Sequence, residues 1–257
     1  MFRISVAPED IEKLPLGVFP GEIKVIDKPG LDYERAIFYL RRQTILGFDT
    51  ESRPVFSPGQ RNNGVALLQL SGPKRAYLFR VQKLGMRHSL CSLLANDKIL
   101  KIGAASLDDV RGLQRLHGFK AAGFIDLQKI AWEWGIRDKS VKKLAANILG
   151  CRISKAQQLS NWEAETLTDA QCRYAATDAW VCREMYIRLL ASEKHPLTPE
   201  EMLPPQDRLA QEAAQARKEA AREQQLQQKK ETSKHRRHRR KKKKLANDKA
   251  DTQEGQG

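Results

Sequence analysis

Asp49 and Glu51 stand two residues apart at the end of the apolar run Ile45-Leu46-Gly47-Phe48. Side chains on an extended strand alternate between faces, so both carboxylates project from the same side. Gly47 lies on that side too and leaves room there. Two carboxylates at a strand end repel each other and lose solvation, and a divalent cation between them relieves both effects. The same pair also describes the solvated end of an ordinary strand, and the spacing does not choose between the two readings. A second group lies far along the chain. Tyr174 and Asp178 are four residues apart in a helical segment and share a face, which Val181 and Met185 continue. An acid within an apolar stripe needs a partner, because burying it unpaired costs on the order of several kcal/mol. A metal would serve, and a position on the solvated rim of the helix would remove the need. Asp108 and Asp109 fall in the first turn after Ser106, where helix amides and dipole favour any acid, so position alone does not make them functional.

The elements that carry these groups follow from periodicity. Ile23 to Ile26 reads as a strand, and Tyr33, Ala36, Ile37 and Leu40 recur with the period of an amphipathic helix. Ile45 to Glu51, Val65 to Leu70, Ala76 to Val81 and Ile99 to Gly103 read as further strands, bounded by turn residues such as Gly72-Pro73. Helices are predicted over His88 to Ala95, from an N-cap at Ser106 through Leu116, over Leu127 to Trp134, and over Val141 to Leu149, which Gly150 ends. Thr168-Asp169-Ala170-Gln171 has the form of a capping box opening a long helix to about Ala191. The sum is an α/β domain with a central mixed sheet.

Composition places that domain in the chain. Of 257 residues, 40% are hydrophobic and 30% charged, and the formal net charge is +15. Lys229 to Lys244 alone holds eleven Lys or Arg against one Glu, so this run carries +10. The expected divisions are an N-terminal arm over 1–21, a folded domain over 22–195, a helical or disordered linker over 196–228, and a disordered basic tail over 229–257. A domain of this size buries roughly 70% of its unfolded surface and needs no staples. Cys91, Cys151, Cys172 and Cys182 are widely spaced without a CxxC pair, which suggests neither a zinc site nor a disulfide framework. No segment approaches the ~18 to 20 apolar residues of a membrane span, so no membrane partner is expected.

Three of these segments, in order, resemble the three motifs of the DEDD superfamily of 3′→5′ exonucleases. Phe48-Asp49-Thr50-Glu51 matches the first, Asp-x-Glu on a strand. Lys101 to Asp109 is similar to the second, with the family's metal-binding acid falling on Asp109 rather than Asp108. Tyr174 to Asp178 matches the third, Tyr-x-x-x-Asp, and its tyrosine marks the subclass. The approach Gln158-Leu159-Ser160-Asn161-Trp162 also looks like ribonuclease D and the Werner-syndrome exonuclease module. The resemblance covers roughly residues 22 to 192 and makes 22–195 an exonuclease domain. It implies a ribonuclease H-like fold, a mixed five-stranded sheet flanked by helices. It also implies that Asp49, Glu51, Asp109 and Asp178 gather two Mg²⁺ or Mn²⁺ ions about 3.5 to 4 Å apart at the terminal phosphodiester. Tyr174 would orient the attacking water, since a phenol with a pKa near ~10 is a poor base at neutral pH. Nucleoside 5′-monophosphates would leave from the 3′ end. Two departures bear on substrate. Nothing after Ser192 resembles the extra helical domains of ribonuclease D, and Asn161-Trp162 stands where many relatives have Asp-Trp.

The tail adds a second kind of binding. Lys234, Arg236, Arg237, Arg239, Arg240, Lys241, Lys242, Lys243 and Lys244 form a polycation that should attach to RNA or DNA without sequence preference and with strong salt dependence. A solubilising tail is the plainer reading, and in a eukaryotic source the run also reads as a nuclear-import signal. Trp132, Trp134, Trp162 and Trp180 suit core packing first. Stacking on bases is the alternative, best placed at Trp162 in a predicted loop. The rival to an exonuclease is a non-catalytic nucleic-acid-binding adaptor that keeps the fold. RNA or DNA 3′ ends are the expected partner, and a cytoplasmic location is the expectation.

Overall fold

A computed structural model describes residues 1–54, 63–204 and, beyond them, 206, 207, 209 and 218. The basic run from Lys234 to Lys244 and most of the expected linker therefore lie outside the described residues. In chain order the elements are α1 (Pro8–Glu12), β1 (Glu22–Ile26), α2 (Leu31–Arg41), β2 (Ile45–Ser52), β3 (Val65–Ser71), β4 (Arg75–Phe79), α3 (Val81–Leu84), α4 (His88–Leu94) and β5 (Leu100–Gly103). They continue as α5 (Ser106–Leu116), β6 (Phe124–Asp126), α6 (Leu127–Ile130), a 3-10 turn (Ala131–Trp134), α7 (Val141–Leu149), α8 (Asp169–Leu190) and α9 (Pro199–Met202). All of these fall in one compact unit, Met1–Met202. No helix among the described residues is long and apolar enough to cross a membrane.

The strands form a six-stranded mixed sheet in the order β1-β4-β3-β2-β5-β6. β2 is central, antiparallel to β3 and parallel to β5. The sheet thus has one strand more than expected. β6 spans three half-buried residues, too few to display an alternation, and it exists through its parallel register with β5. Alternation along β2 sends Leu46 and Phe48 into a core with Tyr33, Ile37 and Leu40 of α2, Leu90 of α4 and Leu113 of α5. The opposite face of the sheet packs on α8, with Leu67 and Leu78 against Ala175 and Ala176. Gly47 sits under α8 so closely that a Cβ there would lie 1.8 Å from the Ala179 carbonyl oxygen. Only glycine allows helix and strand to meet at that point.

The capping box at Thr168 is formed: its hydroxyl accepts from the Gln171 amide, and the Gln171 side chain accepts from the Thr168 amide. Two local expectations differ. Ser106 is the first helical residue of α5 and is buried, while the cap position belongs to Ala105 in the left-handed region at φ 60°. The Ala105 amide is met instead by Asp126 Oδ1 at 3.0 Å, a long-range substitute for a local cap. Residues 1–21, read as an arm, lie within the compact unit, where Val6 and Ile11 pack on Ala146 of α7.

Candidate active site

Asp49 and Glu51 leave β2 on the α8 side, as alternation requires, next to a register shift between Glu51 and Ser52. Asp178 arrives from α8, one residue before the Ala179 carbonyl that presses on Gly47. One carboxylate oxygen of each of Asp49, Glu51 and Asp178 lies within 4.8 Å of the others. All three side chains are half-buried, and they line a cavity of about 280 Å³ together with Tyr174, Thr50, Lys155 and Gln158.

The electrostatics follow from like charge in a desolvated place. Burial, then the charges of Asp178, Glu51 and Asp109, hold the Asp49 carboxyl well above its ordinary value. Burial, then Asp178 and Asp109, push Glu51 up to about 9. Asp178 rises to about 7 through burial, opposed by a hydrogen bond from Tyr174 and by the charge of Lys155. Tyr174 is shifted above the ordinary phenol range by burial and then by the Asp178 and Glu51 charges, so it stays protonated and donates to Asp178. Carboxylates drawn together in a desolvated place repel one another, the situation a divalent ion resolves.

Asp109 stands apart from the trio. It comes from α5, the layer on the other face of β2, and its Oδ1 accepts from Thr50 Oγ at 2.5 Å. Thr50 points to that face because it alternates with Asp49 and Glu51. Burial lifts Asp109 to about 6 against the Thr50 hydrogen bond. Its neighbour Asp108 is exposed and paired with Arg111 at 3.1 Å, so the fold separates the two adjacent acids.

Trp162 is fully buried, 6.0 Å from the Tyr174 ring, and supports that ring rather than offering a face to a base. Three residues near the acids went unread in the sequence. Thr50 lies inside the first motif, and its strand position was its signal. Gln69 is the polar residue within the apolar strand β3; it pairs with Asp49 in register, is fully buried, and neither polar atom of its side chain has a hydrogen-bond partner among the described residues. Lys155 has no local signal, because its relation to Asp178 exists only in three dimensions.

A family model described as 3′-5′ exonuclease matches residues 32–192. The chain belongs to the 3′-5′ exonuclease family. Its motifs are those of the DEDD superfamily, and this family uses divalent metals. Among relatives, the exonuclease 3′-5′ domain-containing protein 2 of Drosophila melanogaster is 34% identical over 149 residues, covering 56% of this chain and 25% of that protein. The bifunctional 3′-5′ exonuclease/ATP-dependent helicase WRN of Mus musculus is 31% identical over 193 residues, 69% of this chain and 13% of that one. The chain therefore spans a quarter or less of the length of these two relatives. The solved Nibbler EXO domain of Aedes aegypti superposes with a TM-score of 0.58 at 23% identity, covering 68% of this chain and 91% of the domain, which shows the shared fold.

Proposed function

We propose that this exonuclease-family chain hydrolyses the terminal phosphodiester at the 3′ end of nucleic acid and releases nucleoside 5′-monophosphates. The observation that carries the reading is the approach of the Asp49, Glu51 and Asp178 carboxylates to within 4.8 Å of one another in a place where burial and mutual repulsion raise their proton affinity. Oxygen-only donors of this kind suit hard cations such as Mg²⁺ or Mn²⁺. The residues that would hold two such ions are Asp49, Glu51, Asp178 and Asp109. When bound, the ions supply an activated water at neutral pH and neutralise charge on the leaving 3′ oxygen.

The chain's own groups supply orientation. Tyr174 keeps its proton and is a hydrogen-bond donor beside Asp178, so it positions a water rather than deprotonating it. Trp162 backs the Tyr174 ring and limits its movement. Thr50 keeps Asp109 turned toward β2. Lys155, exposed and lining the cavity, sets a positive charge near Asp178 that would attract a phosphate.

The test is digestion of 5′-labelled single-stranded RNA and DNA with Mg²⁺, Mn²⁺ or EDTA. A metal-dependent ladder that shortens from the 3′ end is expected, and the preferred sugar would be read directly. Equal binding with and without metal, and no cleavage in either, would move the chain to the adaptor reading. In the same proposal the run from Lys234 to Lys244 acts as a salt-sensitive tether for the strand. Deleting residues 229–257 should weaken binding and flatten its salt dependence while leaving kcat on short substrates unchanged.

A further inference from the structure

A phosphodiester joins two nucleosides, so a phosphate held by Asp49, Glu51 and Asp178 must direct one nucleoside to each side. A second cavity of about 280 Å³ adjoins the first and shares Ser154, Tyr174 and Asp178 with it. Its other walls include Leu16, Gly17, Val18, Gln157 and Arg173. Leu16 to Val18 lie just before β1, ahead of the family-matched residues 32–192. We propose that Leu16 and Val18 form the apolar wall of a subsite that seats the base of one of the two nucleosides flanking the scissile phosphate. The inference rests on the exonuclease reading above and adds the part of the substrate that the N-terminal segment recognises.

The backbone of this segment is pinned on both sides. The Gly17 amide donates to the Arg152 carbonyl at 2.8 Å, the Arg152 amide donates to the Pro15 carbonyl at 2.9 Å, and Arg152 Nε donates to the Leu14 carbonyl at 3.1 Å. The Phe19 amide donates to Thr177 Oγ1 at 3.0 Å, one residue before Asp178. Gly17 lies so close to Cys151 that a Cβ would be 2.8 Å from its Sγ. Leu16 and Val18 are nevertheless 48% and 42% exposed. A single exposed leucine needs no explanation. Two apolar side chains on a fixed backbone, facing a cavity that opens onto Tyr174 and Asp178, offer a base a desolvated surface with little ordering left to do. The volume of about 280 Å³ falls just below the ~300 to 1,000 Å³ of small-ligand sites, which suits a ligand as small as one base. Arg173 lines the same cavity, is exposed, and has no carboxylate partner among the described residues, which leaves its guanidinium for a neighbouring phosphate.

The full-length chain and its Leu16→Ser/Val18→Ser variant would be compared on 5′-labelled single-stranded oligonucleotides with Mg²⁺. Each oligonucleotide would carry an abasic unit at the terminal position, at the second position, or at neither. In the native chain one of the two positions should raise KM about tenfold. In the variant that penalty should fall below about twofold, with the penalty at the other position unchanged. Both substituted side chains are exposed, and an unchanged Tm would show that the fold is intact. Equal abasic penalties in the two chains would overturn the subsite. If the native chain cleaves nothing, the exonuclease reading fails; the same comparison by Kd in EDTA then decides the subsite, and equal penalties there would overturn it.

Discussion

Asp138 and the group of Asp49, Glu51 and Asp178 are both carboxylate sites drawn in from solvent, and they differ in what meets the charge. The Asp138 side chain is 5% exposed. Its Oδ1 accepts from Ser5 Oγ at 2.7 Å and from Lys143 Nζ at 3.1 Å, and its Oδ2 accepts from the Val6 amide at 2.8 Å. Donors from two distant segments thus converge on one acid and tie residues 5 and 6 to the start of α7. In the other group three carboxylates face one another, met by the Thr50 backbone at Asp49, by the Tyr174 phenol at Asp178 and by the charge of Lys155. A carboxylate whose partners come from the fold holds the fold together. We propose that a cluster short of such partners keeps its oxygens for a cation from outside, and that the protein gains stability there when the cation binds.

Exchanging a single oxygen should separate these roles most sharply. Asp49→Asn should lower cleavage at least ~10³-fold, because a ligand to the reacting centre is lost. In EDTA the Tm of the same variant should fall less steeply with rising pH than that of the native chain, since one of the carboxyls that repel one another on ionising is gone. Full activity in Asp49→Asn would contradict the site. Asp138→Ala should do the reverse and cost about 3 kcal/mol in urea unfolding, by stranding the donors that converge on it. Its kcat per folded molecule should stay at the native value, and an undiminished stability would remove the contrast.

A smaller effect is expected at the edge of the cluster. Tyr174→Phe should lower kcat about tenfold to a hundredfold while KM and Tm change little, as suits a group that orients water. Activity unchanged by this substitution would strip Tyr174 of the role. The gentlest test leaves the sequence intact. Asp109, Asp178 and Glu51 bind protons more tightly in the metal-free folded chain, up to about 6, 7 and 9, than at the ordinary 3.8 to 4.5. Their contribution is therefore fully present below about pH 4 and is lost as pH rises toward about 9. Tm in EDTA should fall across that window, and saturating Mn²⁺ should flatten the fall. A flat profile in EDTA would mean that the charges are already met within the protein.

Much of this was legible along the chain. Periodicity placed Tyr33, Ala36, Ile37 and Leu40 on the buried face of α2, and turn chemistry marked Thr168 and Gly150 as the ends of α8 and α7. Alternation put Asp49 and Glu51 on one face and helical spacing put Tyr174 and Asp178 on another, because both patterns repeat within a few residues. Ser106 misled for the same reason: its local form is that of a cap, yet the Ala105 amide is met by Asp126 from another strand. The three-residue β6 carries no pattern of its own and exists only through its partner β5.

What only the tertiary structure decided is distance between elements. Nothing within a few residues of Gly47 shows that the Ala179 carbonyl will rest on it, yet that contact brings Asp178 to Asp49 and Glu51. Nor does the second motif show that Asp109 is held by Thr50 while Asp108 turns to Arg111. Local chemistry assigns each side chain a face, whereas close packing of one face on another sets the ångströms between them, and a carboxylate cluster is made of those ångströms.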